Sequence, residues 1–308
     1  MNLHMTDEQS ALVAAVQEIL RDHSDLPQSA RLHSHWYNET LQRLLVENGY
    51  LDVGRQIGSL EAALVVIEAA KAPVVTEVAA SSLLAPQLLP DENLEGPIAI
   101  VSGNHLTRAH RNLSIARHAF IDLGEDVAVV PVWADNVERV PSILAYPFAR
   151  FIRPPELRTA RRLPSKGADL RKWWRVAVAA ESAGAAQAAV TCTLNHVKQR
   201  NVFGHPVAAF QTVQHRMVQC HMVATALYYL SLRAAATGLP YDADVAACYA
   251  QQHVKKLVVD LHQFCGAMGV TNEFELHLWT YRLRALQTEA GGLVESALDV
   301  VTRRWGHG

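Results

Sequence analysis

The chain has 308 residues, half of them apolar and 19% charged, with a formal net charge of −2. That length allows two or three modules with a substantial core, and the balance excludes a disordered chain. Near-neutral charge with scattered Lys and Arg also argues against nucleic-acid binding, apart from a loose basic group from Arg150 to Arg175. The N-terminus has no basic region followed by an apolar run, and no stretch reaches about 18 uninterrupted apolar residues, so neither a signal peptide nor a spanning helix is expected. The protein is read as cytoplasmic. Cys192, Cys220, Cys248 and Cys265 fit no zinc spacing and read as buried reduced thiols.

Thr6-Asp7-Glu8-Gln9 is a Thr-x-x-Gln capping box that starts a helix running to about Asp22. A second helix is predicted from Trp36 to Asn48, ending at Gly49. A third is capped by Ser59 and ends at Pro73, and a short one covers Val75 to Leu89. Residues 1–95 thus form an N-terminal helical domain.

Between 96 and 153 the pattern changes. PIAIV, AVVPVW and PSILAYPFARF are short, β-branched and punctuated by Pro, Gly and Asp-Asn, which predicts a small β-domain. Residues 154–308 read as a polar linker followed by a four-helix bundle. Lys172 to Lys198 has no proline, and Gln211 to Thr237 stops at Gly238 with Pro240 beyond. Asp242 or Asp244 caps the next helix, where Val254, Leu257, Val258, Leu261 and Cys265 form one stripe before Gly266. A fourth helix spans about Glu273 to Glu289, and a last one ends near Trp305. The fold class is mostly α with a small β-domain.

The chemistry-bearing stretch is KQRNVFGHPVAAFQTVQHRM, with HQFCGAMGVTNEFE further on. An arginine beside a Phe-Gly turn, backed by two helices, can present a cation and amide donors to a pyrophosphate. Metal binding finds no support. His215 and His221 are six apart and share no helix face, and His262 with Cys265 has no second pair.

In order and spacing, TDEQSALV, GSLEAALVVIEAA, RVAVAAESAGAAQAAV with KQRNVFG and AFQTVQH, and HQFCGAMGVTNEFELHLWTYRLRAL resemble the acyl-CoA dehydrogenase family over most of the chain. The resemblance implies the fold of that family: N-terminal helical domain, reduced β-domain, C-terminal four-helix bundle. It also implies FAD held across a subunit interface. Arg200 would pair with the pyrophosphate, Gln211 would donate from the next helix, Gln263 and Gly266 would contact the ADP portion, and Phe203 would pack beside the cofactor.

The chain departs from the family at the base. The chemistry needs a carboxylate that removes the α-proton of the acyl thioester while the β-hydrogen leaves as hydride. The two family positions for it fall on Ala290 and on Trp174. Glu289, one residue from register, is the weak catalytic candidate. The family's Thr-Glu-Pro-x-x-Gly-Ser-Asp stretch beside the flavin ring has no counterpart between Leu84 and Asp126. These departures resemble the shortened subunits of actinobacterial α2β2 acyl-CoA dehydrogenases acting on steroid-derived CoA thioesters. The expected partner is a full-length acyl-CoA dehydrogenase subunit supplying the base and the ring-side contacts, with FAD shared and room left for a bulky polycyclic acyl group. Electron-transferring flavoprotein is the expected acceptor. The alternatives are a structural or regulatory partner that binds neither flavin nor substrate, and an independent flavin oxidase or monooxygenase.

Overall fold

A computed structural model describes residues 4–27 and 35–306. Helix α1 (Asp7–His23) opens on the capping box: Thr6 Oγ1 accepts from Gln9 N at 3.2 Å and Gln9 Oε1 accepts from Thr6 N at 3.0 Å. Helices α2 (Glu39–Glu47) and α3 (Ser59–Lys71) complete the N-terminal layer. Three details differ from expectation here. Trp36 and Tyr37 are extended, with Tyr37 bridging Val75, and Asn38 caps α2. Gly58, not Ser59, is the N-cap of α3; Ser59 Oγ instead donates to the Ala235 carbonyl at 2.7 Å. The expected helix from Val75 to Leu89 is an extended strip, a π-helical turn (Ala79–Leu84) and one α-turn (Ala85–Leu88). The cause is local: buried Glu77 accepts from Ala80 N and Ile98 N at 2.8 and 2.9 Å, and Gln42 binds both backbone groups of Glu77. Those contacts replace a regular helical start.

The β-domain has two small sheets. In the first, β1 (Ile98–Ser102) runs parallel to β3 (His118–Asp122), which pairs antiparallel with β4 (Val127–Pro131) and, through it, with β7 (Arg161–Leu163). In the second, β2 (His110–Arg111), β6 (Phe148–Phe151) and β5 (Val137–Val140) follow in that spatial order. Strand β7 lies in the stretch expected to be linker. Alternate residues of the first sheet, Ala99, Val101, Ala119, Ile121, Ala128 and Val130, pack on the second sheet's Phe151, while Ile98, Ile100, Phe120, Val127 and Val129 join the main core. Burial on both faces explains why these strands read as unbroken apolar runs.

The C-terminal half is built around α4 (Gly167–Gln199), buried nearly all round between Trp173 and Ala186. It packs against α3, α5 (Gln211–Thr237), α6 (Pro240–Cys265) and α7 (Leu276–Leu286). Gly184 permits the α3 contact, since a Cβ there would sit 2.1 Å from the Ile67 carbonyl oxygen. Helix α5 ends at Gly238 with φ +60°, as read from sequence. Helix α6 starts one turn early, with Leu239 as N-cap and Pro240 in the first turn. Asp242 and Asp244 are buried inside it rather than capping it. The fourth bundle helix is shorter than expected, and α8 (Gly292–Trp305) packs on α6.

Candidate functional site

Arg200, Phe203, Gln211, Gln263 and Gly266 all lie at one end of the bundle, where α4 and α6 finish and α5 begins. Arg200 is the C-cap of α4, Gln211 opens α5, and Gln263 and Gly266 sit at the last turn of α6. The helix ends are clamped together. Arg216 pairs with buried Asp260, which also holds Lys256 at 2.6 Å, and its guanidinium lies 5.3 Å from the Phe264 ring centroid. His262 is bonded on both sides, to Gly269 O at 2.6 Å and Thr280 Oγ1 at 2.9 Å, and so fixes the chain after Gly266.

All five residues are exposed. Phe203 and Gly204, with φ +53° and +81°, form the two-residue turn between β8 (Asn201–Val202) and β9 (His205–Pro206). A phenylalanine in that conformation is strained, and its ring is 90% exposed. Gly266 has φ +57° with nothing within 4 Å of where a Cβ would stand. Helix α5 has no side-chain cap on its first N–H groups. A cation, uncapped amides, an aromatic tip and a bare glycine at one surface fit a ligand with an anionic centre flanked by rings, as the ADP half of FAD is.

Glu289 lies elsewhere, in the interior where all three parts of the chain meet. Its Oε2 accepts from Trp174 Nε1 at 3.1 Å and stands 3.7 Å from Arg111 Nε. Arg111 Nη1 donates to Glu181 Oε1 at 2.7 Å, and its guanidinium stacks 4.7 Å from the Tyr146 ring centroid. Arg282 closes one side by donating to the Ala72 and Pro73 carbonyls at 2.8 and 2.5 Å. Burial raises the Glu289 carboxyl above its ordinary range; Arg111 opposes this, and Glu181 adds to it. The short bond of Arg111 goes to Glu181, so desolvation prevails at Glu289. Voids of about 10 and 20 Å³ border this cluster.

Arg175 is buried and caged by Asp244 and Asp299 at 2.6 Å each and Glu295 at 3.5 Å, while Arg303 holds the other oxygen of Asp244 at 2.5 Å. This cage ties α8 to α4 and α6. Arg111 and Tyr146 carry no signal in the periodicity. Glu181 and Arg175 do, as two charges interrupting the most apolar helix. A cavity of about 740 Å³ runs along α4 past Gln187, Asn195 and His196 towards His221, Phe274 and Trp279. Cys192 and His221 line it, but none of the five candidate flavin contacts does, nor does Glu289.

Residues 172–305 match the family model described as the acyl-CoA dehydrogenase C-terminal domain. The bundle is an acyl-CoA dehydrogenase C-terminal domain. The chain carries the acyl-CoA dehydrogenase fold from end to end: it is similar to a chain of the ChsE4-ChsE5 complex from Mycobacterium tuberculosis, with TM-score 0.80, 17% identity and 100% of both chains covered. It is also similar to the Tcur3481-Tcur3483 steroid ACAD, with TM-score 0.73, 20% identity and 96% of both chains covered. In sequence it is 27% identical over 128 residues to the acyl-CoA dehydrogenase IpdE2 of Mycobacterium tuberculosis, covering 42% of this chain and 39% of that relative. The aligned stretch is thus well under two thirds of the relative's length. No helix among the described residues is long and apolar enough to cross a membrane.

Proposed function

We propose that this chain is the non-catalytic half of an FAD-dependent acyl-CoA dehydrogenase heteromer. Its partner, a full-length acyl-CoA dehydrogenase subunit in an α2β2 assembly, supplies the base, the acyl cavity and the ring-side flavin contacts. The observation that carries this is the contrast between two places: five outward-facing residues at one end of the bundle, and an inward-facing Glu289 bordered by a void of only about 10 Å³. A cofactor bound by Arg200, Phe203, Gln211, Gln263 and Gly266 lies on the surface of this chain, so another chain must enclose it. When bound, FAD accepts the hydride from the β-carbon of the acyl thioester. Arg200 and the start of α5 neutralise its pyrophosphate, and Gly266 allows close backbone approach. The association of similar chains in the ChsE4-ChsE5 complex and in a steroid ACAD supports a heteromer and a bulky, steroid-derived acyl group. The cavity for that group lies on the partner's side, and electron-transferring flavoprotein takes the electrons.

The test is the flavin spectrum and native mass of the chain alone and after co-expression with a neighbouring full-length acyl-CoA dehydrogenase. A colourless chain that becomes part of a yellow heteromer is the expected result. A yellow homo-oligomer of this chain alone overturns it. The reading that competes is a packing partner without cofactor contacts, and Arg200→Ala separates the two.

A further inference from the structure

Arg111, Tyr146 and Glu289 each adjoin a non-glycine residue in the left-handed region. These are Asn112 at φ +63°, Ala145 at φ +56° and Ala290 at φ +51°, three of the five such residues among those described. Asparagine adopts this region readily, but an alanine there is strained, and such strain persists where surrounding structure over-determines it, typically at sites. The same place holds orphaned polar atoms. Glu181 Oε2, Asn112 Oδ1 and Arg282 Nε are buried without a hydrogen-bond partner, whereas an ordinary core satisfies such atoms. Asn112 lines the smaller void beside Arg111 and Glu289, and Glu181 and Arg282 line the other beside Tyr146. Two strained alanine junctions, a left-handed asparagine and three unmet polar atoms therefore surround one guanidinium.

We propose that Arg111 is an internal plug: its guanidinium fills a built chamber between Glu181, Glu289 and Tyr146, and so keeps this chain from taking an acyl thioester of its own. The chamber is a guanidinium site in chemical class, with two carboxylates and an aromatic face, and β2 inserts its own side chain into it. This deepens the heteromer reading, on which it rests for its biological sense, by giving the reason why one chain type is silent.

The test removes the plug and offers a substitute. Thermal unfolding of the Arg111→Ala chain is followed with increasing methylguanidinium, methylammonium serving as the control for charge and salt. The expected result is a midpoint that rises saturably with methylguanidinium only, in the variant and not in the wild-type chain. If two unpaired carboxylates prevent the single variant from folding, the same titration is run on Arg111→Ala with Glu181→Gln. Indifference of the folded variants to methylguanidinium means a collapsed core rather than a chamber, and overturns the proposal. In parallel, the isolated wild-type chain is titrated with a non-oxidisable 3-thiaacyl-CoA. No binding is expected, and stoichiometric binding overturns the plug. Neither readout uses flavin or the partner chain, so failure of the heteromer reading, seen as flavin on this chain alone, is a separate outcome.

Discussion

Trp174 and Glu289, 115 residues apart, are bonded to each other, the indole N–H donating to the carboxylate at 3.1 Å. The family resemblance offers two alternative positions for the catalytic base, and this contact joins them into one place in the fold. One position carries an indole, the other a buried alanine with the acid displaced by a residue. That acid is then held between the indole and Arg111.

Glu289→Gln tests this directly through pH. The native carboxyl is raised, by burial first and by Glu181 in addition. Between the unfolded and the native pKa the folded chain keeps a proton that the unfolded chain has released, so stability falls as pH rises across that window and levels off above it. The variant lacks this loss, while retaining an amide oxygen for Trp174. Denaturant unfolding from pH 4 upward should therefore show the wild-type curve dropping below that of Glu289→Gln. Glu77, raised in the same direction by burial, contributes equally to both. Turnover of the assembled enzyme should change by no more than about 2-fold; a loss of order 10²–10⁴ would instead identify Glu289 as a working base.

Arg200→Ala should leave the chain as stable as before, within about 0.5 kcal/mol, because the side chain is exposed. Flavin retention in the heteromer should weaken by about 10- to 100-fold, the scale of a lost charge-assisted bond worth roughly 1.5–3 kcal/mol. Flavin absorbance per assembled complex after gel filtration measures this. Unchanged occupancy favours the packing-partner reading.

Phe203 sets stability against binding. Asparagine tolerates the left-handed turn better than phenylalanine, so Phe203→Asn should stabilise the hairpin by about 1 kcal/mol or less. It removes the 90% exposed ring, and the complex should then hold flavin less well. Paired measurements, thermal midpoint of the chain and flavin content of the heteromer, should move in opposite directions. Movement in the same direction would show that the ring acts within its own chain.

Much of this architecture was legible from residues alone. The Thr6–Gln9 box, the Gly238 stop and the two-sided apolar strands are local patterns, and local patterns are what periodicity and capping report. The five candidate residues at the end of the bundle are named from the family resemblance, on two short contiguous stretches that the fold brings to one end. The interior cluster was not legible as a unit: Glu289 and Glu181 stand out singly, but only the tertiary fold brings them together with Arg111 and Tyr146. Asp242 and Asp244 misled in the opposite way: acids near a helix start read as caps, but Arg233 and Arg175 draw them inward.

Arg175, inside the buried stretch of α4, is a structural tie. Its guanidinium is 3% exposed and bonded to Asp244 and Asp299, so α8 is attached to α4 through it. Removing one partner from a buried pair leaves the other charge uncompensated, which costs about 3–5 kcal/mol. Arg175→Ala strands Asp244, itself 1% exposed, with only Arg303 as counter-charge. The loss should be concentrated at the C-terminus, because Asp299 and Glu295 are released together while the contacts of α4 with α5 remain. Hydrogen exchange should accordingly accelerate across 292–305 before it does in α5, and the global midpoint should fall. Arg175→Lys should recover only part of the loss, since a single ammonium cannot reproduce the forked contact. Uniform acceleration across the bundle, with α8 no faster than α5, would mean that the cage stabilises the whole core rather than anchoring this helix.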